Sequence, residues 1–275
     1  MKNILITGTK GFIGKNLLNE LKGTHHISEI NEDIFDIADW HDELSLKLKE
    51  YEPEVIFHVG ACSNTLETNV NYMMTRNYEF TKILSEYALI HDIKLIYSSS
   101  AANYGTNGKY PSNLYGWSKY VAEQHVIQNG GIALRYFNVY GPGEAHKDKM
   151  ASVAYQMYMK QFKGEEVKLF PKKPKRDFIY IKDVISANIH AYENYDELAS
   201  NYYDVGSGIA RTFEDVLLNI GVNFDYHDVN EIPIGYQFHT QSDKKEWMHG
   251  WEPKYSLEWG LAEYLIELKK MVNEK

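Results

Sequence analysis

Short apolar runs and helical periodicities take turns along most of this chain. Lys2 to Thr7 reads as a strand, and behind it Ile13, Leu17 and Leu21 recur every four residues, the spacing of one helix face. A weaker strand follows over 26–30, then a polar helix over about 40–50. Val55-Ile56-Phe57-His58-Val59 is a clear apolar strand, with a long helical region behind it over about 72–91. Ile93 to Ser98 predicts another strand, the segment opening at Tyr115 a helix, and Gly131 to Phe137 a further strand. Strands separated by helices imply parallel βαβ units, with right-handed crossovers and helices on both faces. The expected fold class is α/β, a Rossmann-type doubly wound parallel sheet.

The pattern changes after Asn138. Residues 139–177 hold a Gly-Pro turn, a helix and the short strand Val167 to Phe170, and the C-terminal part is richer in Trp, Tyr and His. The expected division is a dinucleotide-binding domain over 1–138 with a return at 178–206. A smaller interleaved substrate lobe takes 139–177 and 207–275.

Composition narrows the choices. A hydrophobic fraction of 44% suits a chain that buries a full core. Acids outnumber bases by 38 to 29, a formal charge of −9, which argues against nucleic acid as the main partner. The single cysteine, Cys62, excludes an intrachain disulfide and suits a reducing compartment. The apolar run at the N-terminus ends at Thr7-Gly8, too short for a signal or membrane segment, so the expectation is a soluble cytoplasmic protein without a membrane partner. No His/Cys/Asp cluster has metal-ligand spacing, and His58 reads as the end of a strand rather than a ligand.

The first strand runs into Gly8-Thr9-Lys10-Gly11-Phe12-Ile13-Gly14 and then a helix. Glycines there allow a tight turn, close approach of a pyrophosphate to the backbone, and tight helix–strand packing. The helix start adds unsatisfied N–H groups and a positive dipole end. Glu29, about twenty residues on, is placed for the ribose 2′-hydroxyl of NAD. Lys10 inside the loop is placed for the 2′-phosphate of NADP, and the balance leans slightly to NADP.

A second pattern carries chemistry. In "PSNLYGWSKY" Lys119 follows Tyr115 by four residues, so the two side chains lie one helical turn apart. An ammonium there favours the phenolate and lowers a phenol pKa that is normally near 10. Upstream, the strand ending at Ser98 continues as Ser99-Ser100-Ala101-Ala102-Asn103-Tyr104-Gly105. Glycine loop, serine turn and Tyr-x-x-x-Lys in this order resemble the extended short-chain dehydrogenases/reductases.

Three longer stretches sharpen that resemblance. "HVGACSNT" (His58 to Thr65), "RYFNVYGPGEAHKDKMASVA" (Arg135 to Ala154) and "KRDFIYIKDV" (Lys175 to Val184) resemble the ADP-L-glycero-D-manno-heptose 6-epimerases, over most of the chain. The resemblance implies a nucleotide-sugar epimerase, of homo-oligomeric assembly, that oxidises a carbinol to a ketone and returns the hydride to its other face through bound NAD(P). It gives Tyr115 the acid–base role, Lys119 the nicotinamide ribose and the tuning of Tyr115, Ser100 the oxyanion, and Lys147 a second acid–base role. It assigns cofactor contacts to Gly8, Lys10, Gly11, Phe12, Ile13, Gly14, Glu29, Asp33, Ile34, Gly60, Ala61 and Asn77, and substrate contacts to Asn138, Lys149, Arg176 and Tyr236. The loop between Ser100 and Tyr115 is shorter than in those epimerases, which leaves the identity of the sugar open.

Other functions remain in view. A 4-epimerase or ketosugar reductase on another nucleotide-sugar would use the same machinery. A 4,6-dehydratase would carry an Asp-Glu pair where Ala101-Ala102 stand, so elimination is disfavoured. A non-catalytic NAD(P)-sensing protein would be expected to lose Tyr115 or Lys119, and both are present.

Overall fold

The computed structural model describes residues 1–60, 62–106, 108–232 and 236–273. The chain opens with β1 (Asn3–Thr7), α1 (Phe12–Leu21), β2 (His26–Ile30), α2 (Trp40–Tyr51) and β3 (Val55–His58). Next come α3 (Val70–Met74), α4 (Phe80–Ile90), β4 (Lys94–Ser100), α5 (Leu114–Gln128) and β5 (Ile132–Tyr136). Then follow β6 (Asn138–Tyr140), α6 (Val153–Phe162), β7 (Lys168–Leu169), β8 (Lys175–Tyr180), α7 (Ile181–Glu193), α8 (Tyr195–Leu198) and β9 (Asn201–Val205). The chain closes with β10 (Ala210–Thr212), α9 (Phe213–Asn219), β11 (Asp225–Tyr226) and α10 (Leu257–Asn273). Two compact units result, Met1–Arg135 with Ile185–Tyr203, and Tyr136–Val184 with Asp204–Lys275.

The first unit is built on a six-stranded sheet of order β2-β1-β3-β4-β5-β9, in which β1 runs parallel to β2 and β3, and β3 parallel to β4. Ile4, Leu5, Ile6, Val55, Ile56, Phe57, Leu95 and Ile96 are all at most 1% exposed. Burial on both faces explains why these strands read as continuous apolar runs rather than alternations. The polar helix α2 still buries Trp40, Leu44 and Leu48, a one-residue-wide stripe at four-residue spacing. The chain leaves β1 toward β2 on one side and takes up β3 on the other. That reversal opens a crevice at the C-terminal ends of β1 and β3, where ligands of doubly wound sheets bind.

Two expectations need correction. The helix over 72–91 is interrupted: Thr75–Glu79 forms a π-helical turn between α3 and α4, with Asn77 inside it. The return to the first unit begins at Ile185, not at 178. The reason is that β8 is already paired on both edges, antiparallel to β10 and parallel to β6, in a three-stranded sheet of the second unit. In the same unit β7 and β11 pair in parallel. Among the described residues, no helix is long and apolar enough to cross a membrane.

Candidate active site

Each glycine of the loop after β1 has its own reason. Gly8 has φ +74°, and a Cβ on it would lie 2.4 Å from the Cα of Gly60, so two backbones touch at the ends of β1 and β3. A Cβ on Gly14 would lie 2.1 Å from the Gly8 carbonyl oxygen, which fixes α1 hard against the loop. Gly11 differs: a Cβ there would meet only the Gly8 oxygen, at 3.2 Å. The chain itself hardly needs glycine at 11, whereas a group lying on the loop would. Gly11 is also the N-cap of α1, with no side-chain cap and no acid in the first turn, so N–H groups are left for an anion. These features fit the pyrophosphate of a dinucleotide.

Beside the loop, the Thr9 hydroxyl donates to the Glu29 carboxylate. The Asn31 side-chain oxygen accepts from the Lys10 N–H at 3.0 Å, and its amide donates to Thr9 Oγ1 at 3.0 Å. Lys10 Nζ pairs with Asp33 at 2.9 Å, both side chains exposed. Phe12 and Ile34 turn their side chains into the core, while Ile13 is half-buried. Gly60 abuts Gly8, and Ala61 lies outside the described residues. Asn77 is fully buried, and its amide group engages the Cys62 backbone N–H (2.8 Å), the Cys62 carbonyl (3.0 Å) and the Ser118 hydroxyl (2.9 Å).

The serine turn and the tyrosine helix meet. Ser100 ends β4, and its Oγ accepts from the Ala102 N–H at 3.1 Å. Asn113 caps α5 by accepting from the Gly116 N–H at 2.8 Å, which sets Tyr115 in the first turn. Burial raises the Tyr115 phenol above its ordinary value, and a hydrogen bond from Ser100 works in the opposite direction. Lys119 is 4% exposed, donates to the Ser98 carbonyl at 2.7 Å and stands 4.7 Å over the Tyr97 ring. Burial pushes Lys119 down to about 7. Among the groups acting on Tyr115, the Ser100 hydroxyl favours the phenolate.

Behind these three residues lies a frame the sequence reading missed. Glu123, one turn beyond Lys119 on the same helix face, is fully buried. Its carboxylate accepts from Arg135 Nε (2.9 Å) and Nη2 (2.5 Å), Ser99 Oγ (2.6 Å) and Asn103 Nδ2 (2.9 Å). The Arg135 guanidinium is flanked by the rings of Tyr202 at 3.5 Å and Tyr104 at 4.7 Å. Ser99 and Asn103 bracket Ser100, so this ion pair clamps the serine turn to the helix of Tyr115. The signal was available: Tyr115, Lys119 and Glu123 repeat at four-residue spacing, polar groups along one face.

In the second unit Lys147 lies half-buried on an irregular segment, and burial lowers its pKa against the pull of Glu144. Glu144 is fully buried and organises that segment, accepting from Ser152 Oγ at 2.6 Å, from the Ser152 N–H and from Gly141 N–H at 3.4 Å. Next to Lys147, Asp148 has φ +46° and ψ −113°, a strained conformation for a residue with a Cβ. Lys149 is exposed. Asn138 is exposed and pairs in register with Phe178, whose face of the sheet Arg176 shares two residues earlier. The Arg176 guanidinium stands 5.5 Å from the Tyr236 ring, and burial lowers the arginine's pKa while raising the tyrosine's. Asp177 next door is fully buried and accepts from Ser207 N–H and Oγ (2.6 Å each), Gly208 N–H (3.0 Å), and Ser242 N–H (2.9 Å) and Oγ (2.7 Å). That carboxylate fixes two loops beside Arg176. Among the described residues, no group of three or more His, Cys, Asp or Glu could hold a metal ion.

A glycine loop at the switch point of a doubly wound sheet, with Ser100, Tyr115 and Lys119 in one unit, defines a dinucleotide-dependent enzyme of the short-chain dehydrogenase/reductase type. More narrowly, the chain belongs to the NAD dependent epimerase/dehydratase family, whose profile matches residues 4–206. It is 33% identical to the ADP-L-glycero-D-manno-heptose-6-epimerase of Brachyspira hyodysenteriae, covering 97% of this chain and 98% of that one. Among solved structures it is similar to the Helicobacter pylori ADP-L-glycero-D-manno-heptose-6-epimerase, with 29% identity, a TM-score of 0.82, and 98% and 96% of the two chains covered. The UDP-glucose 4-epimerase of Thermotoga maritima shares the fold, with a TM-score of 0.82 at 24% identity over 98% and 99% of the chains.

Proposed function

We propose that this protein is a nucleotide-sugar epimerase of the ADP-glycero-manno-heptose 6-epimerase type. The observation that carries this reading is Ser100 at the end of β4 together with Tyr115 in the first turn of α5 and a buried Lys119 on the same helix, in a chain aligned along nearly its whole length with such an enzyme. When bound at the Gly8–Gly14 loop, NAD(P) supplies the hydride acceptor and donor and a positively charged ring. Tyr115 as phenolate takes the proton of the sugar hydroxyl, and Ser100 donates to the oxygen on which charge develops. Lys119, fixed against the end of β4 by its bond to the Ser98 carbonyl, would hold the nicotinamide ribose and favour the Tyr115 phenolate. Lys147, half-buried and lowered in pKa, is suited to hold or deliver a proton at the same oxygen when the ketone presents its other face. Arg176 suits the diphosphate, because its guanidinium fork matches phosphate oxygens, with Asn138, Tyr236 and Lys149 as further substrate contacts.

For the cofactor, the lean is to NADP. The Lys10 ammonium pairs with Asp33 in an exposed ion pair, a contact typically worth under about 1 kcal/mol, so a 2′-phosphate can recruit it cheaply. Glu29, engaged by Thr9, supports NAD instead. Lys10→Ala should weaken NADP binding more than NAD binding, and equal effects would assign the selection to Glu29 and the cofactor to NAD.

The decisive experiment is proton NMR of a panel of nucleotide-sugars, ADP-heptose first, incubated with wild-type and Lys147→Met protein. Epimerisation at C6 without net redox is expected from the wild type, with a loss of at least about 10²-fold in the variant while a keto analogue is still reduced. If both activities fall together, Lys147 binds substrate only; if neither falls, the two-base epimerase is excluded.

A further inference from the structure

We propose that His58 is a positioning residue that ties the phosphate loop to the catalytic helix through one directed hydrogen-bond chain. His58 ends β3 and is fully buried, as are Thr7, Thr81, Asn77 and Ser118, each at most 1% exposed. Its Nδ1 lies 2.7 Å from Thr7 Oγ1, and its Nε2 lies 2.8 Å from Thr81 Oγ1. The ends of the chain fix which way each bond points. Thr81 Oγ1 lies 2.6 Å from the Asn77 carbonyl, which can only accept, so the Thr81 proton goes there. Thr81 must therefore accept from His58, and the imidazole proton is on Nε2. Nδ1 is then an acceptor and receives the Thr7 proton, leaving Thr7 Oγ1 to accept from the Gly60 N–H at 2.9 Å.

The two arms reach the two halves of the site. On one side, Thr7 precedes Gly8, and Gly60 is the residue whose backbone touches Gly8, so the Nδ1 arm holds the loop that faces the pyrophosphate. On the other side, Asn77 donates to Ser118 Oγ at 2.9 Å, and Ser118 donates to the Tyr115 carbonyl at 2.7 Å, so the Nε2 arm ends on the first turn of α5. Asn77 sits in the π-helical turn, and such turns recur at functional sites. Buried donors and acceptors that are all used in one direction rigidify what they join. The proposal rests on Tyr115 as the proton carrier for its catalytic arm, but not for its loop arm.

The test uses the full chain and splits the imidazole in two. His58→Asn keeps an acceptor near Nδ1 and loses the donor to Thr81; His58→Gln keeps a donor near Nε2 and loses the acceptor for Thr7. Nitrogen-15 NMR of the wild type should show the Nε2–H tautomer. Titration with NAD and NADP should show weaker binding for His58→Gln than for His58→Asn. Turnover at saturating dinucleotide should show the reverse order, with His58→Asn down by 10-fold or more, toward the roughly 10²-fold that a 1 Å misplacement brings. An Nδ1–H tautomer, or binding and turnover falling in the same ratio in both variants, overturns the proposal. Should either variant fail to fold, Thr7→Val and Thr81→Val each delete one hydroxyl and report the same two arms. If Tyr115→Phe keeps wild-type turnover, it is the functional reading that falls; the tautomer and the dinucleotide titrations still decide the loop arm.

Discussion

Lys119 and Lys147 are both lysines that burial drives below their ordinary pKa, and they are held in opposite ways. Lys119 belongs to a regular helix packed on a regular sheet, with a carbonyl and an aromatic face at fixed distances and the Glu123–Arg135 pair one turn beyond. Lys147 belongs to a short irregular segment anchored by the buried carboxylate of Glu144, with further bonds from Gly143 to Glu267 and from Gln156 to the Lys149 and Ala151 carbonyls, and bent at a strained Asp148. The first is placed by regular secondary structure and enclosed by groups that belong to it. The second is placed by local strain and by polar contacts centred on Glu144. A group that must act at one fixed atom is served by the former. One that must serve a substrate in two orientations is served by the latter.

The largest effect is expected at the rigid end. Tyr115→Phe removes one oxygen and should lower turnover by about 10²–10⁴-fold, with the melting temperature and dinucleotide binding retained. Turnover within about threefold of wild type would remove the chemical meaning of the whole Tyr115–Lys119 face.

Next comes the frame behind it. Glu123→Ala leaves the Arg135 guanidinium buried without its carboxylate, and breaking such a pair typically costs about 3–5 kcal/mol. Denaturant unfolding of the variant measures this. A cost below 1 kcal/mol would mean that the serine turn and the helix are held by packing alone, and the contrast in rigidity would vanish.

How much of this could be read from the chain follows the same contrast. The sheet was legible because strands buried on both faces leave unbroken apolar runs, as at Ile4-Leu5-Ile6 and Val55-Ile56-Phe57. That Tyr115 and Lys119 lie on one face of one helix was legible, because a spacing of four is about one helical turn. The break at Thr75–Glu79 was not, since a π-turn has no composition of its own and the apolar periodicity runs through it. Nor was the allegiance of β8, whose partners β6 and β10 lie 37 and 35 residues away in the sequence; such pairing is decided by tertiary contacts. The roles of Glu123, Glu144 and Asp177 were hidden for a related reason. A buried carboxylate looks like any surface acid until its donors, from distant segments, are known.

The pH dependence of stability separates Lys119 from its surroundings. Its folded pKa of about 7 lies below the 10.5 of a free lysine. Between those values the unfolded chain binds more protons than the folded one, so this residue makes stability rise with pH. Its burial penalty is present in full below pH 7 and is relieved progressively above it. The unfolding free energy of the wild type minus that of Lys119→Met should therefore become more positive from pH 7 to pH 9.5, by at most about 1.4 kcal/mol per pH unit. A flat difference would show that the ammonium is not desolvated, and the likeness between Lys119 and the buried Lys147 would be lost.

The smallest effect tests the strained end. Asp148 holds φ +46° with ψ −113°, where a Cβ is crowded and glycine is not. A residue kept in such a region stores about 1–3 kcal/mol, and glycine returns about 0.5–1 kcal/mol of that as added freedom in the unfolded chain. Asp148→Gly should thus stabilise the fold by about 1 kcal/mol, read from the denaturation midpoint. The same change frees the backbone next to Lys147, so epimerisation should slow while reduction of a keto analogue, which needs only Tyr115, is unaffected. Stabilisation with slower epimerisation would mean that strain sets the position of Lys147. Destabilisation would mean that the Asp148 side chain makes contacts worth more than the strain, and Lys147 would then be held by the same kind of frame as Lys119.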